Sequence, residues 1–92
     1  MKRLTIRTDT GCSVTDSELS EAFQRLAAFE DIYEELADNA VTIPPELEKL
    51  KTAGKEKTVR YKEMLGQKLI DNHIKALFER HGISFDDPEE KH

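Results

Sequence analysis

The sequence has no tryptophan and a single cysteine, Cys12. One thiol cannot close an internal disulfide and supplies no repeated metal-ligand spacing. A reducing, cytoplasmic setting follows as the default expectation. No apolar run approaches the roughly 18 residues that read as a transmembrane helix. The basic start Met1-Lys2-Arg3 is not followed by the apolar core of a signal peptide. No repeat and no low-complexity tract is visible. Glycine (four) and proline (three) are scarce enough that each marks a specific place in the chain.

The 92 residues are 37% hydrophobic and 36% charged, with a net charge of −5. That balance suits one small, highly soluble helical domain with a narrow core. A chain this short buries only about 60–65% of its unfolded surface, so association with a second copy would add to a marginal core. The negative charge does not draw the whole chain to nucleic acid or anionic membrane. Its distribution is uneven. From Asp16 to Asp38 eight acids face one base, whereas from Lys49 to Lys68 seven bases face two acids.

The segment Thr58–Ile83 carries the densest apolar content: Val59, Tyr61, Met64, Leu65, Leu69, Ile70, Ile74, Leu77 and Phe78. On a helical wheel these cover well over half the circumference, too wide for one buried stripe. Such a segment needs covering on more than one side, by the chain's own helices or by another copy.

In chain order, Lys2–Thr8 alternates like a short strand, with Leu4 and Ile6 on one face. Asp9-Thr10-Gly11 is a turn, so the segment pairs with a return strand, pairs with another copy, or lies as an arm. Thr15 and Glu18 have capping-box spacing, with Val14 and Leu19 placed as a hydrophobic staple. A helix follows with Leu19, Ala22, Phe23, Leu26, Phe29, Tyr33, Leu36 and Ala37 on one stripe and an acidic opposite face. Asp38-Asn39-Ala40 is expected to end it, with Val41 and Ile43 tucked under the turn. Pro44-Pro45 then opens a second, short helix carrying Leu47, Leu50 and Ala53, and Gly54 stops it. The terminal unit runs from Thr58 to His81. Gly66 inside it and Asp71-Asn72 as a fresh cap leave two readings: one helix from Thr58 to His81, or two that meet between Gly66 and Asp71, the local signals leaning toward a break or kink. His81-Gly82-Ile83 has the form of a Schellman stop. The expected fold is therefore mainly α, with three or four helices and an N-terminal strand or arm. Residues 1–85 form one domain, and the acidic run 86–92 is expected to be a disordered tail.

The pieces MKRLTIRTDTG, RLAAFED (Arg25–Asp31), LEKLKTAGKEKTVRYKEMLGQKL (Leu47–Leu69) and LFERHGI (Leu77–Ile83) resemble small proteins encoded in phages and prophages of Gram-positive bacteria. They cover about two-thirds of the chain, and none is a catalytic signature. After Glu30-Asp31, where that pattern usually has a glycine-containing turn, this chain continues as IYEELADN. The resemblance implies an accessory role in a bacterial cytoplasm and implies no reaction.

Candidate chemistry is sparse. Cys12 with His73 or His81 lacks the positioned base and orienting third group that a nucleophile needs. His73 and His81 stand two helical turns apart, too far for a shared metal. His81 suits a helix C-terminus instead. No catalytic residue, metal or cofactor is therefore assigned. The basic run, with Lys55, Lys57, Arg60 and Lys62 around Tyr61, has the composition to neutralise phosphates and stack a base. It also suits pairing with the acidic face, within one chain or between two. The function expected is non-enzymatic binding of a host or phage protein by a homo-oligomer, with Glu34, Glu35 and Asp38 steering a basic partner. The competing reading is nucleic-acid or signalling-nucleotide binding through Lys55, Lys57, Arg60, Tyr61 and Lys62, with a counter-defence role.

Overall fold

A computed structural model describes residues 1–85; the expected tail, 86–92, lies outside them. The element order is β1 (Ile6–Thr8), β2 (Gly11–Ser13), a 3-10 turn (Asp16–Glu18), α1 (Leu19–Thr52) and α2 (Val59–Arg80). The chain divides into two compact units, Met1–Tyr33 and Glu34–His92.

In the first unit the N-terminal strand finds a return strand within the same chain. β1 and β2 pair antiparallel with Ile6 opposite Ser13, Arg7 opposite Cys12 and Thr8 opposite Gly11. Asp9 and Thr10 keep negative φ, and the unusual backbone falls on Gly11 at φ +152°. Strands of three residues are too short to be stable alone. The chain before them supplies an anchor: Leu4 is 5% exposed.

The capping box forms differently from its expected geometry. Thr15 is extended at φ −68°, ψ 149°, and its hydroxyl caps no backbone amide. Thr15 Oγ1 instead donates to Glu18 Oε1 at 3.0 Å. The other carboxylate oxygen of Glu18 accepts from Lys2 Nζ at 2.8 Å. Glu18 thus reaches back to the Thr15 hydroxyl with one oxygen and holds Lys2 with the other, and a 3-10 turn leads into α1.

The largest correction concerns helix number. Among the described residues there are two long α-helices, not three or four, because α1 does not end at Asp38-Asn39-Ala40. It continues through Pro44 and Pro45 to Thr52. The two prolines remove the amides that would bond the carbonyls of Ala40 and Val41, at about 3 kcal/mol for a helix-interior proline. The buried residues of α1 are Leu36, Ile43 and Leu47. Their spacing of seven and four returns them to one face only if the helix is continuous. Burial of such side chains is worth about 1.5–3 kcal/mol each, which offsets the interruption. Both prolines stay on the exposed side.

Of the two readings of the terminal unit the continuous one holds: α2 is one helix across Gly66 and Asp71, with no break. Gly66 costs propensity without interrupting the hydrogen-bond ladder. Thr58 caps α2, its Oγ1 accepting from the Tyr61 amide at 3.3 Å. Both glycine stops are realised as expected. At the end of α1, Gly54 takes φ +73°, with Gly54 N–H to Lys51 O at 3.0 Å and Lys55 N–H to Leu50 O at 2.8 Å. At the end of α2, Gly82 takes φ +90°, and Ile83 N–H returns to Phe78 O at 3.0 Å. This paired bonding is the Schellman pattern, and the left-handed residue at its centre favours glycine. Beyond it Phe85 folds back, its ring 5.9 Å from that of Phe78 in an edge-on arrangement. Lys75 Nζ lies 5.7 Å from the Phe85 ring centroid.

Within the second unit, α1 from Glu34 and α2 form an antiparallel helical hairpin. Asn39 of α1 bonds Asp71 of α2, and Glu46, later in α1, pairs with Arg60, earlier in α2.

Candidate functional site

Tyr61, Met64, Lys68, Asp71, Lys75 and Phe78 recur at alternating spacings of three and four, and all are half-buried. That periodicity is the seam of two long antiparallel helices. On α1 the matching stripe is Leu36, Asn39, Ile43, Leu47 and Leu50. The seam is apolar on the α1 side apart from Asn39 and mixed on the α2 side. Its middle holds a polar cluster: Asn39 Nδ2 donates to Asp71 Oδ2 at 2.9 Å, and Gln67 Nε2 donates to Asp71 Oδ1 at 2.7 Å. Beside it Leu36, Ile43, Lys68, Asp71 and Lys75 line a cavity of about 230 Å³. Both carboxylate oxygens of Asp71 are therefore satisfied, and a polar pair at this position sets the register of two helices. The sequence reading missed this cluster, taking Asn39 for a helix end and Asp71 for a cap. The available signal was Asn39 between Leu36 and Ile43 at three-four spacing.

The acidic candidates Glu34, Glu35 and Asp38 are all exposed on α1. At about 100° per residue, Glu34 and Asp38 point away from the buried stripe of Leu36 and Ile43, and Glu35 lies on its flank. They form an accessible negative ridge, with Val41, 72% exposed, on the same side.

The basic candidates are split. Lys55 and Lys57 lie in the connection between the helices, and Arg60, Tyr61 and Lys62 lie at the start of α2. By helix geometry Arg60 and Lys62 project about 160° apart. Tyr61 sits on the seam stripe rather than among the lysines. Glu46 is the local counter-charge, 3.4 Å from Lys49 Nζ and 3.4 Å from Arg60 Nη2. Its carboxyl is held below the ordinary carboxylate value by the hydrogen bond and charge of Lys49 first, then by Arg60. Lys49 and Arg60 thus share one acid, Glu46 of α1.

In the first unit a second ionic group ties the N-terminal segment down. Lys2 Nζ pairs with Glu18 at 2.8 Å, Arg25 donates to the Lys2 carbonyl, and Arg25 Nη2 is 3.3 Å from Glu21 Oε2. The hydrogen bond to Glu18 raises the Lys2 amine above its ordinary 10.5. The hydrogen bonds from Lys2 and then Thr15 lower the Glu18 carboxyl below its ordinary 4.5. A depressed carboxyl stabilises the fold above its unfolded value and loses that contribution as pH falls through the folded one. A raised amine stabilises below 10.5 and loses its contribution as pH rises beyond the folded value. The N-terminal tie is therefore expected between about pH 4.5 and 10.5 and to release below that range. Amide chemical shifts of residues 2–8 across a titration from pH 7 to 3 check this. Shifts that move together with the Glu18 carboxyl carbon signal are the expected result, and Glu18→Gln should abolish the step.

Cys12 is exposed on β2, apart from either histidine in the sequence of elements. His81 closes α2 as its C-cap, its amide bonding Glu79 O and Phe78 O. Among the described residues no group of three or more His, Cys, Asp or Glu side chains is placed to hold a metal. No helix among them is long and apolar enough to cross a membrane.

Family models, curated proteins and solved structures yield no match to this chain. Its most prominent feature is the outer side of α2, the side away from the seam. Val59 is 70% exposed there, Ile70 56% and Leu77 42%, and the three project within about 20° of one another. Leu69, 60% exposed, stands beside them.

Proposed function

We propose that this is a phage or prophage accessory protein of the bacterial cytoplasm that binds a host or phage protein without catalysing a reaction, working as a homo-oligomer joined through the outer side of α2. The observation that carries the reading is that α2, 22 residues long, buries none of its residues. A helix that meets its neighbour along one stripe and exposes a second, apolar stripe is one whose second stripe is meant to be covered. The outer row of Val59, Gly66, Ile70 and Leu77 follows spacings of seven and four, the repeat by which a second helix packs alongside. Each large side chain on it would contribute about 1.5–3 kcal/mol on burial. The acidic ridge of Glu34, Glu35 and Asp38 lies on α1, apart from that row, and stays available to steer a basic partner.

Native mass spectrometry at low salt tests the reading directly. The expected result is an oligomer of the natural chain and a monomer for the Ile70→Asp, Leu77→Asp double variant, with helical content retained. A natural chain that is monomeric at micromolar concentration would overturn the self-association. A captured partner subunit should disappear from the spectrum on Glu34→Lys, Glu35→Lys substitution. Its persistence would overturn the acidic ridge as the binding surface.

One observation favours the phosphate-binding reading as a second possibility. The first turn of α2 has no acid, although a helix N-terminus ordinarily attracts one, and Arg60 and Lys62 stand there instead. Signalling-nucleotide binding through Lys55, Lys57, Arg60, Tyr61 and Lys62 would retain a nucleotide-sized mass in the same spectrum.

A further inference from the structure

The N-terminal unit contains a groove that the helical hairpin and its ionic groups do not use. Its volume is about 430 Å³, within the range of small-ligand sites. The floor is carbon: Leu4, Ala22, Leu26 and Phe29 line it. Leu4 is buried at 5% exposure, whereas Leu26 at 55% and Phe29 at 43% remain open to solvent. The rim is cationic, with Arg3 and Arg25.

The two arginines differ in what remains free. Arg25 is committed, one terminal nitrogen to the Lys2 carbonyl and the other to Glu21. Arg3 is held from one side only: its Nε donates to the Thr5 carbonyl and to Thr5 Oγ1, each at 3.2 Å. Among the described residues its two terminal nitrogens have no partner. A guanidinium anchored at Nε and open along its terminal edge is preorganised for a carboxylate, which it can grip with two parallel hydrogen bonds.

We infer that this groove binds an amphipathic monocarboxylate, with the alkyl chain along Leu4, Ala22, Leu26 and Phe29 and the carboxylate on the terminal edge of Arg3. Charge complementarity selects the head group: the rim is positive, and Thr5, the one uncharged polar side chain of the lining, already accepts from Arg3 Nε. The same floor selects an alkyl tail over a peptide. A peptide laid there would leave its amides without partners, which is unfavourable, whereas a hydrocarbon chain needs none.

The test is ligand-observed NMR with decanoate, decanol and a short apolar peptide bearing a free C-terminal carboxylate, all below micelle-forming concentrations. Decanoate is expected to bind saturably, one per chain, and more tightly than decanol. Arg3→Gln should weaken decanoate binding by about ten-fold or more, the loss expected for a charge-assisted hydrogen bond, and leave decanol unaffected. Leu26→Asn, at an exposed position, should weaken both ligands. The β1–β2 amide signals report that each variant retains the hairpin. Decanol binding equal to decanoate, or an Arg3→Gln affinity within two-fold of the natural chain, would overturn the carboxylate assignment. Tighter, Arg3-dependent binding of the peptide acid would overturn the alkyl tail.

Discussion

Leu47→Ala is expected to lower the unfolding free energy of the Glu34–His92 unit by about 2–4 kcal/mol, the usual range for a buried leucine truncated to alanine. The reason for so large an effect is how little else is buried. Leu47 is 7% exposed, and the only other buried residues in this unit, among those described, are Leu36 and Ile43. Small domains have few kcal/mol to lose, so one such truncation removes a large share of the stability. Truncating Val41, which is 72% exposed on the acidic side of the same helix, should change stability by less than about 0.5 kcal/mol. Urea unfolding followed by circular dichroism at 222 nm compares the two. Equal effects at Leu47 and Val41 would mean that the α1 stripe is not the seam of the hairpin.

Replacing Pro44 and Pro45 together by alanine is expected to stabilise the protein, by about 2 kcal/mol or more. The sign follows from their position in the interior of α1. There each proline removes a backbone donor, and a helix-interior proline costs about 3 kcal/mol relative to alanine. Against this, each proline restricts the unfolded chain, and losing that restriction gives back about 0.4–1 kcal/mol per site. The backbone term is the larger. Prolines opening a separate helix would behave in the opposite way, because the first turn has no donor to lose and the fixed φ is already helical. Their replacement would then destabilise. A rise in the urea midpoint without a change in slope supports the continuous helix. A fall would restore the break that the proline pair suggests on local grounds.

That contrast shows where local reading succeeds and where it stops. The helix from Leu19 onward, the start of α2 at Thr58 and the turn at Asp9-Thr10-Gly11 are all legible, because each is set by periodicity or by residues a few positions apart. The choice of a return strand for β1 was among the alternatives the turn allowed. Thr15 and Glu18 have the right spacing for a reciprocal cap, but the Thr15 hydroxyl takes one oxygen of the carboxylate and Lys2, sixteen residues away, takes the other, and nothing in the local spacing announces that second partner. The acidic ridge of Glu34 and Asp38 is readable from wheel position alone. The basic set is not readable as a site, because a run along the sequence becomes two opposed directions once Arg60 and Lys62 are on a helix. The Arg3 groove was invisible for a related reason: its residues come from both the N-terminal segment and α1, and no motif spans them.

The sequence by itself determined where the helices stop. Gly54 and Gly82 end α1 and α2 because a left-handed backbone position favours glycine whatever surrounds it. Only the tertiary structure decided where the helices carry on. At Asn39 to Pro45 and at Gly66 to Asp71 the local signals favour a break. They are outweighed because continuity keeps Leu36, Ile43 and Leu47 on one buried face and brings Asn39 to Asp71. A stop depends on the φ of one residue. Continuation depends on what the far side of the helix meets, and that partner lies some thirty residues away.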